Sequence, residues 1–195
     1  MRRRLVVMIK EPRPGRVKTR LGRDIGMVPA AWWFRHQLRA VLRRVEDPRW
    51  DVILAVAPDR AGMMSRVWPG HLPRIAQGHG DLGDRMARVM RSLPPGPVCI
   101  IGADIPGVGA PQIARAFAAL GGKDAVFGPA PDGGYWLVGC ARVAALPSRF
   151  MRDVRWSSEH ALADTMMAFD PARVALVDTL RDVDTAADLR PAYQP

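Results

Sequence analysis

The sequence predicts an α/β protein: one domain of three α/β/α layers around a mostly parallel sheet. Three observations carry that prediction. Short apolar runs at 5–9, 52–57, 98–101 and 174–177 read as buried strands, the first ending at a basic segment punctuated by Pro and Gly and the others closed by Pro, Gly or Asp. The segments between them repeat apolar residues at helical spacing. Strands alternating with helices build a parallel sheet covered on both faces. A chain of 195 residues suits a single domain spanning 1–195. Its 48% hydrophobic and 25% charged residues are the composition of an ordered globular protein and argue against disorder.

Taken in order, the first strand runs into Lys10 and a basic segment punctuated by Pro12, Pro14 and Gly15. Pro29 suits the first turn of a helix, and Ala31, Phe34, Leu38, Val41, Leu42 and Val45 follow at helical spacing. The second strand, 52–57, closes at Pro58-Asp59, and a weaker one at 72–76 contains Pro73. Asp81 and Asp84 open a helix that carries Leu82, Met86, Val89 and Leu93 on one face. The clearest central strand, 98–101, ends in Gly102-Ala103-Asp104. Pro111 opens the next helix, with Ile113, Phe117 and Leu120 inward. Strand-like runs at 125–128 and 135–139 flank Pro131-Asp132-Gly133-Gly134, a turn signal. Ser157 is read as the cap of a helix including Leu162, Met166 and Phe169. After the last strand come Asp182-Val183-Asp184-Thr185 and a short terminal helix.

Composition excludes several classes. The net charge of +10 is concentrated: residues 1–50 hold 14 Lys or Arg against four acids, and the remainder is balanced. Attraction to an anion is therefore strongest near the N-terminal quarter. The apolar run after Arg4 is shorter than the ~7–15 residues of a signal-peptide core, and no stretch approaches the ~18 of a membrane span. Cys99 and Cys140 sit in apolar runs as buried thiols. A cytoplasmic protein without a disulfide framework or a cysteine-rich zinc site is expected. The four His residues lack metal spacing, and no Ser/His/Asp or Cys/His arrangement stands out.

Sheets of this kind bind ligands beyond the carboxyl ends of their strands, and three charged motifs fall there. Six cations lie between Lys10 and Arg23, opposed within that span by Glu11 alone. Like charges ~4 Å apart repel by about 1 kcal/mol in water, so the segment is either solvated or held by an anion such as phosphate. It is not a Walker A loop, because Val17 stands where that motif needs Gly. Asp104 ends the best strand, and Asp182 and Asp184, with Asp188 beyond, repeat the pattern at the last one. If Asp104 and Asp184 converge, they repel unless a cation lies between them. Mg²⁺ suits that geometry; capping of the following loop or helix is the plainer role.

Weaker signals surround these. Gly78-His79-Gly80-Asp81-Leu82-Gly83 matches G-x-G-x-x-G but follows the poorest strand. That context favours a loop placing backbone amides near a ligand, or a simple helix entry, over a dinucleotide fingerprint. Asp132 belongs to a turn that explains itself without chemistry, while Tyr135 and Trp136 flank a substrate or fill the core. Of Trp32 and Trp33, one is expected in the core and one outside.

Together the motifs resemble a bacterial family of GT-A-like glycosyltransferases, long described as a domain of unknown function. The matching residues are K-x-P-x-P-G-x-V-K-T-R-L from Lys10 to Leu21, Q-G-x-G-D-L-G-x-R-M from Gln77 to Met86 and G-A-D-I-P from Gly102 to Pro106. They continue with G-P-A-x-D-G-G-Y-W-L-V-G from Gly128 to Gly139, Trp156-Ser157 and D-V-D-T from Asp182 to Thr185. The resemblance implies a nucleotide-diphospho-sugar transferase fold, Rossmann-like and shared with the molybdenum-cofactor and phospholactate guanylyltransferases. It implies a metal, Mg²⁺ or Mn²⁺, at Asp104 and Asp184, and nucleotide phosphates facing Lys18 and Arg20.

The expected function is a metal-dependent transferase with a nucleotide-activated donor, a nucleotide sugar before an NTP, acting on a small-molecule acceptor. Asp104, Asp182 and Asp184 are the metal candidates. Lys10, Lys18 and Arg20 neutralise the diphosphate, and Gly80 and Asp81 border the nucleotide. Tyr135 lies on the acceptor side, with Asp132 as general base and Lys18 as the catalytic cation. The alternative enzyme is a guanylyl- or cytidylyltransferase acting on a phosphorylated small molecule. A sequence without the usual Gly-rich first loop departs from nucleotidyltransferases, and a single Asp where glycosyltransferases show Asp-x-Asp departs from those. A basic nucleic-acid-binding module is the reading from another class, disfavoured by the scarcity of aromatics in the basic first half of the N-terminal quarter. No membrane partner is expected.

Overall fold

The structure, a computed structural model, describes residues 1–142 and 145–189. The opening apolar run forms β1 (Arg4–Lys10), followed by α1 (Thr19–Ile25), α2 (Met27–Val45) and β2 (Asp51–Ala57). Next come α3 (Asp59–Met64), β3 (Arg74–Ala76), α4 (Leu82–Ser92), β4 (Val98–Gly102) and α5 (Ala110–Ala119). The chain continues through β5 (Ala125–Pro129), β6 (Tyr135–Cys140), α6 (Ala161–Met166) and β7 (Val174–Leu176), then a 3-10 turn at Ala186–Leu189.

The strands form one sheet in the order β3-β2-β1-β4-β6-β5-β7. All neighbours are parallel except those of β6, which runs antiparallel to both β4 and β5. That exception follows from loop length. Parallel neighbours need a crossover of a dozen or more residues, whereas the short turn between β5 and β6 permits only a hairpin.

The period-two alternation of β1 assigns the layers. Leu5, Val7 and Ile9 pack with Phe34, Leu38 and Leu42 of α2 and with Ile113 and Phe117 of α5. Val6 faces the other way, into a cluster with Met86 and Met90 of α4, Phe127 and Phe150. Every residue of the helical pattern after Pro29 is buried. Trp32 is 55% exposed while Trp33 packs on the core, as the sequence pattern requires. The strand order runs one way from β1 to β2 and β3, and the other way from β4. The carboxyl ends of β1 and β4 are thus adjacent where the order reverses, the place such sheets hold ligands. Among the described residues, no helix is long and apolar enough to cross a membrane.

Several expectations need correction. Ser157 caps nothing: it adopts a left-handed backbone, φ 59°, and α6 starts at Ala161, headed by His160. The cause is tertiary, because the β5–β6 turn packs on this segment and the Gly133 carbonyl accepts from the Leu162 amide. Phe169 lies beyond α6 and packs edge-on against Phe127 and Phe150. The strand at 72–76 shortens to three residues after Pro73, which has no N–H to donate. The terminal helix is a single 3-10 turn. Helices α1 and α3 are additions of six or seven residues, too short for a periodic signal.

Two outcomes test this packing. Cys99 and Cys140 are 0% and 1% exposed, and burial pushes both thiols up, Cys140 to about 12. Because the thiolate is the nucleophile, neither is expected to react with a chromogenic disulfide reagent at about pH 8 until the protein is unfolded in guanidinium, when both should. Gly133 sits at φ 83°, and a Cβ there would collide with the Glu159 backbone. Gly133→Ala is expected to lower stability by roughly 1–3 kcal/mol, read by denaturant unfolding.

Candidate active site

Beyond β1 the chain turns sharply rather than trailing into solvent. The Glu11 amide donates to the Ala57 carbonyl, Arg16 to Arg13, and the Arg13 guanidinium pairs with Glu11 at 2.7 Å. Gly15 takes a left-handed conformation, and so does Lys18, at φ 46° and ψ 48°, immediately before α1. A side chain in that region is strained. Val17 and Leu21 are buried on either side and fix the segment to the core.

This geometry aims Lys18 inward. Its side chain is 7% exposed, and its Nζ lies 2.6 Å from Asp104 Oδ2 and 3.0 Å from Asp184 Oδ1. Arg20 Nη1 reaches the other oxygen of Asp184 at 2.8 Å. The two carboxylates therefore converge with a cation between them, and that cation is the Lys18 ammonium. Desolvation by itself would lower the pKa of Lys18; attraction and hydrogen bonds from Asp104 and Asp184 outweigh it, and the net shift is upward.

Three elements bring these groups together. Asp104 lies just past β4, and its carbonyl accepts from the Val183 amide. The loop after β7 is shaped by Asp188, whose Oδ2 accepts from the Asp184 and Thr185 amides and the Thr185 hydroxyl. Asp188 is thus a loop-forming residue. Asp182 is half-buried with no ion-pair or hydrogen-bond partner among the described residues. Desolvation raises its carboxyl pKa first, and the negative charges of Asp104, Asp184 and Asp132 add to the rise against Lys18.

Two cavities meet at this cluster, sharing Arg20, Leu82, Asp104, Ser157 and Asp184. One, about 670 Å³, lies over the carboxyl end of β1 and is lined by Lys10, Arg16, Lys18, Arg20 and Arg85. Gly80 and Asp81, ahead of α4, form part of its wall. Gly80 needs its φ of 97°, and the Arg85 Nε donates to its carbonyl at 3.0 Å. The Asp81 carboxylate caps α4 by accepting from the Asp84 amide, and Asp84 caps in return. The other cavity, about 520 Å³, lies over β4 and β6 and has an apolar floor of Met8, Met86, Ile100 and Val138. Trp136 and Trp156 line it, together with Asp132, Tyr135, Glu159 and Asp182.

All ten candidate residues border one or both cavities, or the clamp between them. Two have commitments elsewhere. The Tyr135 hydroxyl bonds Thr165 at 3.3 Å and Met151 sulfur at 3.6 Å, and burial pushes its pKa well up. One oxygen of Asp132 accepts from the Gly134 amide at 3.0 Å in the hairpin turn, and the residue is exposed. Arg16 and Arg85, which lie within the quoted motifs without an assigned role, and Glu159, which lies outside them, are also wall residues. Arg85 lies one helical turn beyond Asp81, a spacing that places both at the start of α4. Gln77, the first residue of the Gln77–Met86 motif, is buried, and its amide donates to the carbonyls of Ile9 and Ala55, holding the ends of β1 and β2 together. Among the described residues, no three His, Cys, Asp or Glu side chains are close enough to hold a metal as they stand.

Comparison with known proteins agrees with this architecture. A Desulfovibrio desulfuricans G20 protein, provisionally assigned as a nucleotide-diphospho-sugar transferase, is 30% identical with a TM-score of 0.86; the match covers 97% of this chain and 85% of that one. The 4-diphosphocytidyl-2C-methyl-D-erythritol synthase of Anaerococcus prevotii DSM 20548 shares the fold at 11% identity and a TM-score of 0.61, over 96% and 94% of the two chains. A Mycobacterium tuberculosis H37Rv protein solved in complex with manganese does so at 14% and 0.57, over 97% of each. No curated protein matches the sequence. The fold is that of the nucleotide-diphospho-sugar transferases. A profile of uncharacterized proteins conserved in bacteria, DUF2064, matches residues 40–158, and the chain belongs to that family.

Proposed function

We propose that the protein is a transferase using a nucleotide-activated donor, a nucleotide sugar in the first instance, and that 1–195 works as one catalytic domain in the cytoplasm. The observation that carries this reading is the Lys18 clamp between Asp104 and Asp184, standing where a cationic cavity joins an apolar, acid-rimmed one. A diphosphate suits the first cavity and an acceptor the second, with the transferred group between them. The fold shared with nucleotide-diphospho-sugar transferases supports the same division.

In this reading the acceptor hydroxyl oxygen bonds to the anomeric carbon as the bond from that carbon to the diphosphate oxygen breaks. The electron pair leaves on the nucleoside diphosphate. Lys10, Lys18 and Arg20 lie along the cavity that receives it and neutralise the developing charge. The hydroxyl proton passes to Asp132, whose second oxygen carries no hydrogen bond among the described residues. Gly80 and Asp81 border the nucleotide, and Tyr135 forms part of the acceptor wall.

The donor set fits a hard divalent cation, being two carboxylates at the cavity junction, Asp104 and Asp184, with Asp182 beside them on the wall of one cavity. Asp104 and Asp184, with Asp182 in support, would hold Mg²⁺ or Mn²⁺ once Lys18 moves from the carboxylates toward phosphate. Such an ion supplies charge neutralisation at the diphosphate. The manganese complex of the similarly folded mycobacterial protein supports this assignment.

Thermal-shift screening of nucleoside di- and triphosphates and nucleotide sugars tests the reading, each with and without Mg²⁺ or Mn²⁺. Metal-dependent stabilisation by nucleotide sugars, with release of nucleoside diphosphate on turnover, is the expected result. Pyrophosphate release from an NTP with a phosphorylated acceptor would transfer the assignment to nucleotidyl transfer. Lys18→Met is expected to lower kcat by about 100-fold with a smaller change in KM, because the lost cation acts on charge that develops during reaction. An unchanged kcat would remove Lys18 from the chemistry.

A further inference from the structure

The two cavities that share the Lys18 clamp differ in charge more sharply than in size. The one over β1 is walled by five cations, and two of its three acids, Asp104 and Asp184, are already engaged by Lys18 and Arg20. The one over β4 and β6 holds five acids, Asp104, Asp132, Glu159, Asp182 and Asp184. Arg20 is its single cation among the lining residues, and that guanidinium is bound to Asp184. Asp132 and Asp182 have no ion-pair partner among the described residues. Glu159 has only the exposed imidazole of His160 at 3.7 Å.

We infer that the acceptor is a hydroxyl compound free of phosphate and carboxylate, with an apolar body, an inference that rests on the division into donor and acceptor cavities proposed above. An anionic acceptor entering the second cavity would face Asp132 and Glu159, which have no cation of their own even when a metal is held at Asp104, Asp182 and Asp184. Like-charge juxtaposition disfavours the wrong partner, most at low salt, where these exposed acids are least screened. The floor of Met8, Ile100 and Val138, with Trp136 and Trp156 on the walls, offers apolar and aromatic surface to the rest of the molecule. The transferred group keeps to the clamp, where Asp104 and Asp184 are neutralised by Lys18 and Arg20. Charge thus separates the two substrates: phosphate is drawn to one side of Lys18 and turned away from the other. The same wall disfavours a phosphorylated acceptor, the substrate that nucleotidyl transfer of the alternative kind requires.

A matched series on one scaffold tests the inference: phenethyl alcohol, phenethylamine, phenylacetate and phenethyl phosphate. Each is titrated into the full chain at low salt, and affinities are read by saturation-transfer NMR and tryptophan fluorescence. The alcohol and the amine are expected to bind at least about tenfold more tightly than either anion. Glu159→Lys, at an exposed position where misfolding is not expected, should narrow that ratio several-fold. Equal or tighter binding of the anions, no binding by any member, or a ratio untouched by Glu159→Lys would overturn the inference. Binding of UDP and GDP is followed on the same samples by thermal shift. If neither stabilises the protein while the charge ratio stands, the donor reading has failed and the selectivity of the second cavity has not. If they do stabilise it and the anions still win, the acceptor inference alone has failed.

Discussion

One ammonium group holds three distant parts of the chain in register. Lys18 comes from the first connection, Asp104 from the end of the central strand β4, and Asp184 from the loop after the last strand. Remove the cation, and two carboxylates that share it would face each other with only Arg20 at the rim. The backbone of Lys18 stays in its left-handed region only because the surroundings over-determine it. Val17 before it and Leu21 beyond it are buried, its ammonium is bound twice, and α1 begins at the next residue. Local strain, core packing and cavity shape are therefore one constraint seen at three scales.

That constraint also revises the meaning of the basic N-terminal quarter. Part of its charge is answered within the molecule. Arg2 pairs with Asp51, Arg13 with Glu11 and Arg49 with Asp47. Arg44 donates to the carbonyls of Pro106 and Val108, and Arg35 lies over the ring of Trp32. Pairs this exposed contribute little to stability, but they lower the field available to a distant polyanion. What remains directed is the short row of cations facing the cavity over β1. A formal charge spread over the first fifty residues becomes, once folded, partly a local row of cations at one cavity.

The strands and the long helices were legible because their signals are local: unbroken apolar runs for β1, β2 and β4, and a buried stripe in α2 at the spacing its sequence shows. So was the convergence of charged motifs, since parallel strands place all their carboxyl ends on one edge of the sheet. Two kinds of feature were not. Ser157 has the chemistry of a cap, but its backbone is left-handed and the helix begins four residues later, where Leu162 donates to the Gly133 carbonyl. The partner between Asp104 and Asp184 was also hidden. Charge arithmetic requires a cation there and cannot say whether it is an ion or a lysine 166 positions away from Asp184. Arg16 and Arg85 stand inside quoted motifs and Glu159 in none, and the place of all three in a cavity wall was hidden because such a wall is assembled from residues with no fixed spacing.

The reversed strand β6 has a consequence for how such a protein can diversify. Parallel strands meet the carboxyl-end edge of the sheet with their ends, but β6 meets it with its beginning, so the turn from Ala130 to Gly134 opens directly onto the cavity over β4 and β6. That turn and the 156–159 segment packed on it belong to no crossover and carry little of the sheet's architecture. Exchanges at exposed positions there, such as Asp132 and Glu159, would alter that wall without touching the Lys18 clamp. The fold thus hangs one wall of the paired cavities on a single hairpin, apart from the crossovers that carry the other.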